Sequence, residues 1–277
     1  MRGVVLDADG RPRLAELPEP RSPLEVLACG LCGSDVEKLG RAPAGTVLGH
    51  EVVVLAEGRR LALVHHRPCG ECSRCRDGHE STCEQFALPT IVPGGFAERV
   101  EKTEGVELPD SLDDVRATMV EPLACVLRGV ERVPRGRVLI IGNGFVGRLF
   151  AAVLERRGDE VFAADADPAR SGRAPDGPVD ATIVCARGAG ADALDAVRPG
   201  GSVLVFADAG ELPADVVYRR ELTVVGSRSA TPASMRAAAS LLPDLDVPEP
   251  TVLPLERFDE GLELFVRRTA LKVVFVP

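Results

Sequence analysis

The sequence predicts an α/β protein in which a doubly wound parallel sheet follows a β-rich segment. Short β-like runs broken by Pro and Gly occupy the first 110 or so residues. A buried strand at 138–141 then runs directly into a Gly-x-Gly-x-x-Gly pattern at 142–147, and an apolar helical pattern follows. These two observations predict two domains with different architectures.

The composition excludes several classes of protein. The 277 residues are 45% apolar and carry a net charge of −9, which argues against nucleic acid or an anionic membrane as a partner. No run is long and apolar enough for a transmembrane helix, and the first ten residues lack the apolar core of a secretory signal. With no such signal, the eight cysteines predict thiolate chemistry in a reducing, cytoplasmic compartment.

The segment 29–51 contains residue types that can hold a catalytic metal. Cys32, Ser34 and Asp35 lie together, and His50 and Glu51 follow after a glycine. Cysteine, histidine and carboxylate side chains form catalytic zinc sites, which have three protein ligands and one open position. Taken alone, this segment is equally compatible with core or surface residues.

A cluster of four cysteines gives the strongest local signal. Cys69, Cys72, Cys75 and Cys83 form the pattern C-x2-C-x2-C-x7-C, whose two-residue gaps let successive thiolates face one tetrahedral ion. We interpret it as a closed structural zinc site. A redox pair, a disulfide knot and a zinc ribbon for nucleic acid are the alternatives, and the mixed charges of the flanking residues disfavour the last.

The glycine loop predicts a dinucleotide site. Gly142, Gly144 and Gly147 lie between a strand and a helix, and Asp165 ends the next strand eighteen residues later. Asp165 should accept hydrogen bonds from the adenosine ribose and repel a 2′-phosphate, which favours NAD over NADP. Arg170 and Arg173 could soften this exclusion.

The second domain lacks room for a complete doubly wound half. After the strand at 160–164, only residues 168–179, with three prolines and two glycines, separate Asp167 from Asp180 and the next strand. This spacing cannot contain a helix and a strand, although Asp167-Pro168 can start one helical turn. We therefore predict a five-stranded parallel sheet without the usual third strand. Its strands are expected at 138–141, 160–164, 181–185, 202–206 and 222–225.

Several segments together resemble the zinc-containing medium-chain dehydrogenases of the alcohol, sorbitol and threonine dehydrogenase type. They are CGSD at 32–35, GHE at 49–51, the cysteine lobe at 69–83, EPLA at 121–124, IGNGFVG at 141–147 and Lys272. The chain would be an unusually short member. The resemblance implies a GroES-like β-rich catalytic domain and a Rossmann domain for NAD. Their expected bounds are 1–122 with 243–277 for the first, including a zinc lobe at 66–86, and 123–242 for the second.

The resemblance also assigns roles to single residues. Cys32, His50 and Glu121 would bind a catalytic zinc, with Glu51 bound directly or exchanging with water, although Glu121 by itself could be a surface helix residue. Asp35 would orient His50. The family further implies two zinc ions per chain and a homodimer or homotetramer. The remaining expected cofactor contacts are Phe145, Val146, Arg170 and Lys272.

The implied reaction transfers a hydride between a secondary alcohol, such as a polyol, sugar, cyclitol or amino alcohol, and NAD. Ser34 would pass the alcohol proton outward. Relatives often carry a relay histidine five residues after the cysteine, where this chain has Glu37. His65 and His66 are expected to be structural or surface residues. The alternative hypothesis is a non-catalytic relative that retains the fold as a binding or structural protein.

Overall fold

The computed structural model describes residues 1–277 and contains fourteen strands. In chain order, the strands are β1 (Arg2–Leu6), β2 (Pro12–Glu16), β3 (Pro23–Gly30), β4 (Glu51–Ala56), β5 (Arg59–Leu63), β6 (Arg99–Glu101), β7 (Gly105–Glu107), β8 (Arg137–Ile141), β9 (Glu160–Ala164), β10 (Val179–Val184), β11 (Val197–Val205), β12 (Thr223–Gly226), β13 (Thr251–Pro254) and β14 (Val273–Val276).

Nine α-helices connect or cover these strands. They are α1 (Gly33–Lys38), α2 (Ser73–Arg76), α3 (Asp114–Ala117), α4 (Val120–Val130), α5 (Phe145–Arg157), α6 (Gly190–Ala196), α7 (Ala214–Arg219), α8 (Pro232–Leu241) and α9 (Phe258–Val266). No helix combines the length and the apolar character needed to span a membrane.

The chain divides into two compact units. The first contains Met1–Ala124, Ala230–Asp244 and Pro248–Pro277, and the second contains Cys125–Ser229 with Leu245–Val247. Residues up to 242 were expected in the second domain. The structure instead packs α8 with the first unit, where α8 contacts β7 and the Leu242 carbonyl accepts a hydrogen bond from Arg116.

A seven-stranded sheet forms the centre of the first unit. Its strands follow the order β13-β14-β3-β4-β5-β7, and β6 pairs with β3. The last strand of the chain, β14, lies antiparallel to β3, so the C-terminus completes the sheet begun by the N-terminal segment. Phe96, Phe258 and Phe275 pack together in its core with ring centroids 4.7–5.6 Å apart.

The second unit has the predicted five-stranded parallel sheet. Its order is β12-β11-β10-β8-β9, so β9 is an outer strand and no further strand follows it. The short turn Pro168–Arg170 occupies the place of the missing helix, and the Asp167 side chain caps it by accepting from Ala169 N at 3.0 Å. The prediction of a doubly wound sheet without its third strand is confirmed.

Candidate active site

Three side chains of the first unit bring their metal-binding atoms together. The donor atoms of Cys32, His50 and Glu51 all lie within 4.8 Å of one another. His50 and Glu51 are buried, and Cys32 is partly exposed. Three such donors with one partly open side fit a catalytic zinc site, which keeps one coordination position for a reactant.

Asp35 holds this group in place through three hydrogen bonds. Its carboxylate accepts from the backbone nitrogens of Cys32 at 3.1 Å and Gly49 at 3.3 Å, and it lies 3.2 Å from Nδ1 of His50. The helix α1 begins immediately after Cys32, which places Asp35 in its first turn. The contact at Nδ1 leaves the Nε2 atom of His50 available for a metal ion.

The electrostatics of Asp35 favour its charged form. Burial raises the pKa of this carboxyl, but the charge of His50 and the hydrogen bonds outweigh burial, so the pKa lies below its usual value. Asp35 therefore remains a carboxylate although its side chain is 2% exposed. A buried carboxylate at Nδ1 fixes the tautomer of a ligating histidine and raises its basicity.

Lys272 has a partner that the sequence did not predict. Its buried ammonium donates to Oε2 of Glu51 and to the Leu31 carbonyl, the latter at 3.1 Å. A Cβ atom at Gly30 would overlap Glu51 Oε2 and lie 3.1 Å from Lys272 Nζ, so only glycine leaves room for this ion pair. The structure thus gives Lys272 the role of holding Glu51, while its contact with a cofactor stays a prediction.

The other predicted residues lie at different distances from the group. Ser34 is exposed, and its hydroxyl donates to Sγ of Cys32 at 3.4 Å. Glu37 is exposed on α1. Glu121 is 7% exposed in the first turn of α4, but it does not join the three residues whose donor atoms lie within 4.8 Å. Its role as a ligand stays a prediction.

His65 contacts the site, although it was expected to be a structural or surface residue. Its ring stacks on His50 with centroids 4.5 Å apart. His65 in turn contacts His66 in a tilted arrangement with centroids 3.9 Å apart, and His66 stacks on Phe86 at 3.8 Å. Burial lowers the pKa of His65, and the neighbouring His50 lowers it further, so its imidazole stays neutral. Two adjacent histidines directly after β5 were the only sequence signal.

The four predicted cysteines form one compact group. Their sulfur atoms all lie within 4.8 Å of one another, and those of Cys69 and Cys75 are 3.9 Å apart. Tetrahedral zinc with Zn–S distances of about 2.3 Å places sulfurs about 3.8 Å apart, so the group fits this ion. Backbone N–H groups of Cys72 and Gln85 also donate to the sulfurs of Cys69 and Cys83 at 3.3 Å, which stabilises thiolates. None of the cysteines forms a disulfide.

The glycine loop of the second unit leaves space at one glycine and not at the others. A Cβ at Gly142 would lie 2.6 Å from Ala186 N, and one at Gly147 would overlap the Gly142 carbonyl. A Cβ at Gly144 would meet nothing within 4 Å. These are the roles that a dinucleotide loop requires: a tight turn, close packing of helix on strand, and room for a pyrophosphate.

Residues near this loop are already engaged with each other. Asp165 accepts from Asp167 N at 2.9 Å and from Arg170 Nη2 at 3.1 Å. Phe145 is buried at the start of α5, so its backbone N–H rather than its ring is suited to a ligand, and Val146 is partly exposed.

A doubly wound sheet with this loop typically binds a dinucleotide. A three-donor metal site with an open position binds the oxygen of a reactant. This combination is typical of dehydrogenases that use a metal and a nucleotide. Comparison with known proteins agrees. The profile of the alcohol dehydrogenase GroES-like domain matches residues 22–110.

Three similar proteins align with this chain over nearly the whole length of both partners. The chain is 28% identical to sorbitol dehydrogenase of Halalkalibacterium halodurans over 341 aligned positions, which cover 100% of this chain and 99% of that protein. The alcohol dehydrogenase TADH of Thermus sp. ATN1 superposes with a TM-score of 0.84 at 26% identity, with complete coverage of both chains. A zinc-binding dehydrogenase from Sinorhizobium meliloti, described as putative and bound to NADP, gives 0.82 at 25% identity, covering 100% and 99%.

These findings make the chain similar to medium-chain dehydrogenases/reductases. The alignment with the sorbitol dehydrogenase is longer than the 277 residues of this chain, so the chain lacks internal segments that the relative contains. The missing helix and strand after β9 are one such segment in the expected fold.

Proposed function

We propose that this protein is a zinc-dependent dehydrogenase that transfers a hydride between a secondary alcohol of the sugar-alcohol type and NAD. The proposal depends on one observation above all: the donor atoms of Cys32, His50 and Glu51 lie within 4.8 Å of one another. The neighbouring carboxylate of Asp35 at Nδ1 of His50 supports it, because ligating histidines usually have such a partner.

In this proposal, the first unit holds the catalytic zinc. Cys32 and His50 are two ligands, and the third is a carboxylate from Glu51 or Glu121. When bound, zinc acts as a Lewis acid that lowers the pKa of the substrate hydroxyl. Lys272 competes for the carboxylate of Glu51, so Glu51 can be a ligand only when its carboxylate is shared with or released by this lysine.

The proton of the substrate leaves through residues of this chain. The hydroxyl of Ser34 lies 3.4 Å from Sγ of Cys32 and is exposed, which suits a group that takes a proton and passes it to water. Glu37, three residues further along α1, is exposed and is a second candidate for this path. Asp35 remains a carboxylate and keeps the imidazole of His50 in one tautomer.

The remaining parts of the proposal have separate support. The four-cysteine group would hold a second, structural zinc without an open position. Gly144 offers space for the pyrophosphate of NAD, and Asp165 terminates β9 where a ribose-binding acid is expected. The sugar-alcohol class follows from the similarity to sorbitol dehydrogenase. A homodimer or homotetramer is proposed from the family resemblance.

The test is a screen for NADH formation with sugar alcohols, cyclitols and simple secondary alcohols as substrates. Absorbance at the NADH band should rise with at least one sugar alcohol, and the variant Cys32→Ala should give no signal. A chain that binds two zinc ions and NADH but reduces NAD with none of these alcohols would contradict the proposed activity and favour a non-catalytic role.

A further inference from the structure

A cavity of about 820 Å³ lies in the second unit between α5, β9 and residues 169–173. A complete doubly wound half would continue from β9 into a helix and a third strand. Here the chain forms the short turn Pro168–Arg170 instead. Along the outer edge of β9, only Ala163 then forms backbone hydrogen bonds. Its carbonyl accepts from Gly172 N at 3.0 Å, and its N–H donates to the Arg173 carbonyl at 3.2 Å. The shortened connection therefore leaves the cavity open.

The cavity wall carries an arginine atom that lacks a partner. Arg148 of α5 lines the cavity, and its Nε atom is buried without a hydrogen-bond acceptor. Arg148 is the fourth residue of α5, close to the positive end of the helix dipole, where a cation is unfavourable. A buried donor without an acceptor also costs free energy. Both costs are offset when an anion occupies the cavity.

Two further arginines face the same space. Arg170 and Arg173 line the cavity from the opposite side. Two of the three wall carboxylates are engaged elsewhere: Asp159 pairs with Arg157 at 2.5 Å, and Glu160 pairs with Arg137 at 3.2 Å as well as with Arg173 at 2.7 Å. The third, Glu155, is exposed to solvent. Nε of Arg170 is also buried without a hydrogen bond, but it lies 3.5 Å from the carboxylate of Asp167. Arg148 is the wall arginine without a carboxylate partner.

The same wall also contains a hydrogen-bond acceptor without a donor, the side-chain oxygen of Asn143. Asn143 donates through Nδ2 to the Arg170 carbonyl at 2.6 Å, while its Oδ1 is buried without a donor. This amide oxygen suits the hydroxyl of a sugar. The nearby Asp165 does not repel an anion strongly, because Arg170 Nη2 lies 3.1 Å from its carboxylate.

We propose that this cavity binds a phosphorylated sugar. Arg148 binds the phosphomonoester, Arg170 and Arg173 add positive charge, and Asn143 Oδ1 accepts a hydrogen bond from a sugar hydroxyl. Two sources share this chemistry: the 2′-phosphate of an NADP bound in place of the proposed NAD, and a separate sugar phosphate. The first source rests on the proposed dehydrogenase function, because Asn143 lies within the glycine loop; the second does not.

The test is isothermal titration calorimetry with adenosine 2′,5′-bisphosphate, adenosine 5′-monophosphate and ribose 5-phosphate. Wild type is compared with Arg148→Gln and Arg148→Lys, and with Arg156→Gln as a control. Arg156 lies on the same helix, is exposed and does not line the cavity. Charge-assisted hydrogen bonds are worth about 1.5–3 kcal/mol, so Arg148→Gln should weaken a phosphate ligand by about tenfold or more. Arg148→Lys should recover part of this loss, and the control should bind like wild type.

The three ligands identify the source of the phosphate. If Arg148→Gln weakens the binding of adenosine 2′,5′-bisphosphate alone, the phosphate is the 2′-phosphate of the cofactor. If it weakens the binding of ribose 5-phosphate, the ligand is a separate sugar phosphate. The inference would be overturned if wild type bound none of the three ligands, or if wild type and Arg148→Gln bound all three equally at unchanged melting temperature. Binding of NADH is measured on the same samples by fluorescence. If wild type fails to bind NADH, the proposed function fails, and ribose 5-phosphate still tests the cavity.

Discussion

Around the candidate metal site, individual residues are held by partners far away in the chain. Glu51 pairs with Lys272 across 221 sequence positions, and His50 is fixed by Asp35 across 15. Buried charged groups are stable only when paired, and removing one partner leaves the other uncompensated. Substitutions that leave the ligands intact should therefore still disturb the site.

The first residue-scale prediction concerns Asp35→Asn. The variant keeps the size of the side chain but loses the negative charge at Nδ1 of His50. We expect the affinity for the catalytic zinc to fall by about 10–100-fold, as for other residues that support metal-binding histidines. Competition with a chelator, followed by metal analysis, measures this. The four-cysteine zinc serves as an internal control, and equal loss of both ions would contradict the assigned role.

The second residue-scale prediction concerns Gly30, whose backbone lies close to the side chain of Glu51. A methyl group there would overlap Glu51 Oε2, so Gly30→Ala should displace the Glu51–Lys272 pair and lower the free energy of unfolding by about 1–3 kcal/mol. Gly33→Ala is the matched control, because a Cβ there meets nothing within 4 Å. Urea denaturation of both variants provides the measurement, and similar stability for the two would show that Gly30 is not needed for packing.

At the scale of elements, the glycine loop and the cysteine lobe are the best-predicted parts of the chain. Both are encoded by the spacing of neighbouring residues. In the loop it is the spacing of glycines between a strand and a helix, and in the lobe it is the spacing of thiols around one ion. The end of α5 has a local signal too, because a glycine after an apolar helical pattern commonly ends a helix, and Gly158 takes a left-handed conformation with φ of 89°. The start of α3 has no such single signal. Ser111 and Asp113 both lie just before this helix and both can cap one, and it is Asp113 that accepts from Arg116 N at 2.8 Å.

The loop gives a prediction that separates binding from folding. Gly144→Ala adds a methyl group in open space, so it should leave the melting temperature unchanged while weakening NADH binding by about tenfold or more, equivalent to about 1.4 kcal/mol. Gly147→Ala overlaps the Gly142 carbonyl and should lower the stability by about 1–3 kcal/mol. Thermal unfolding and NADH fluorescence titration distinguish them. The account would be wrong if Gly144→Ala bound NADH as wild type does.

The lobe gives the second element-scale prediction. Cys83→Ser removes one sulfur of the four-cysteine group and the acceptor of the Cys69 and Gln85 N–H groups. We expect one zinc to be lost and residues 69–86 to become sensitive to protease, since structural zinc supplies folding free energy to its own lobe. Limited proteolysis with mass spectrometry reads this out. Protection equal to that of wild type would argue against a structural metal.

At the scale of the whole molecule, the class of fold was predictable and the contacts between distant segments were not. The missing third strand followed from the twelve residues available at 168–179. The packing of α8 with the first unit and the stack of His65 on His50 could not be predicted, because both depend on tertiary contacts that no local spacing encodes. The pairing of Lys272 with Glu51 is a further contact of this kind.

The central claim is that Cys32, His50 and a carboxylate hold a catalytic zinc separate from the four-cysteine zinc. The most direct test is the zinc content per chain of wild type and of Cys32→Ala, measured by elemental analysis on folded protein. We predict two zinc ions for wild type and one for the variant, with all dehydrogenase activity lost. A variant that keeps both ions, or keeps its activity, would contradict the assignment of Cys32 to the catalytic site.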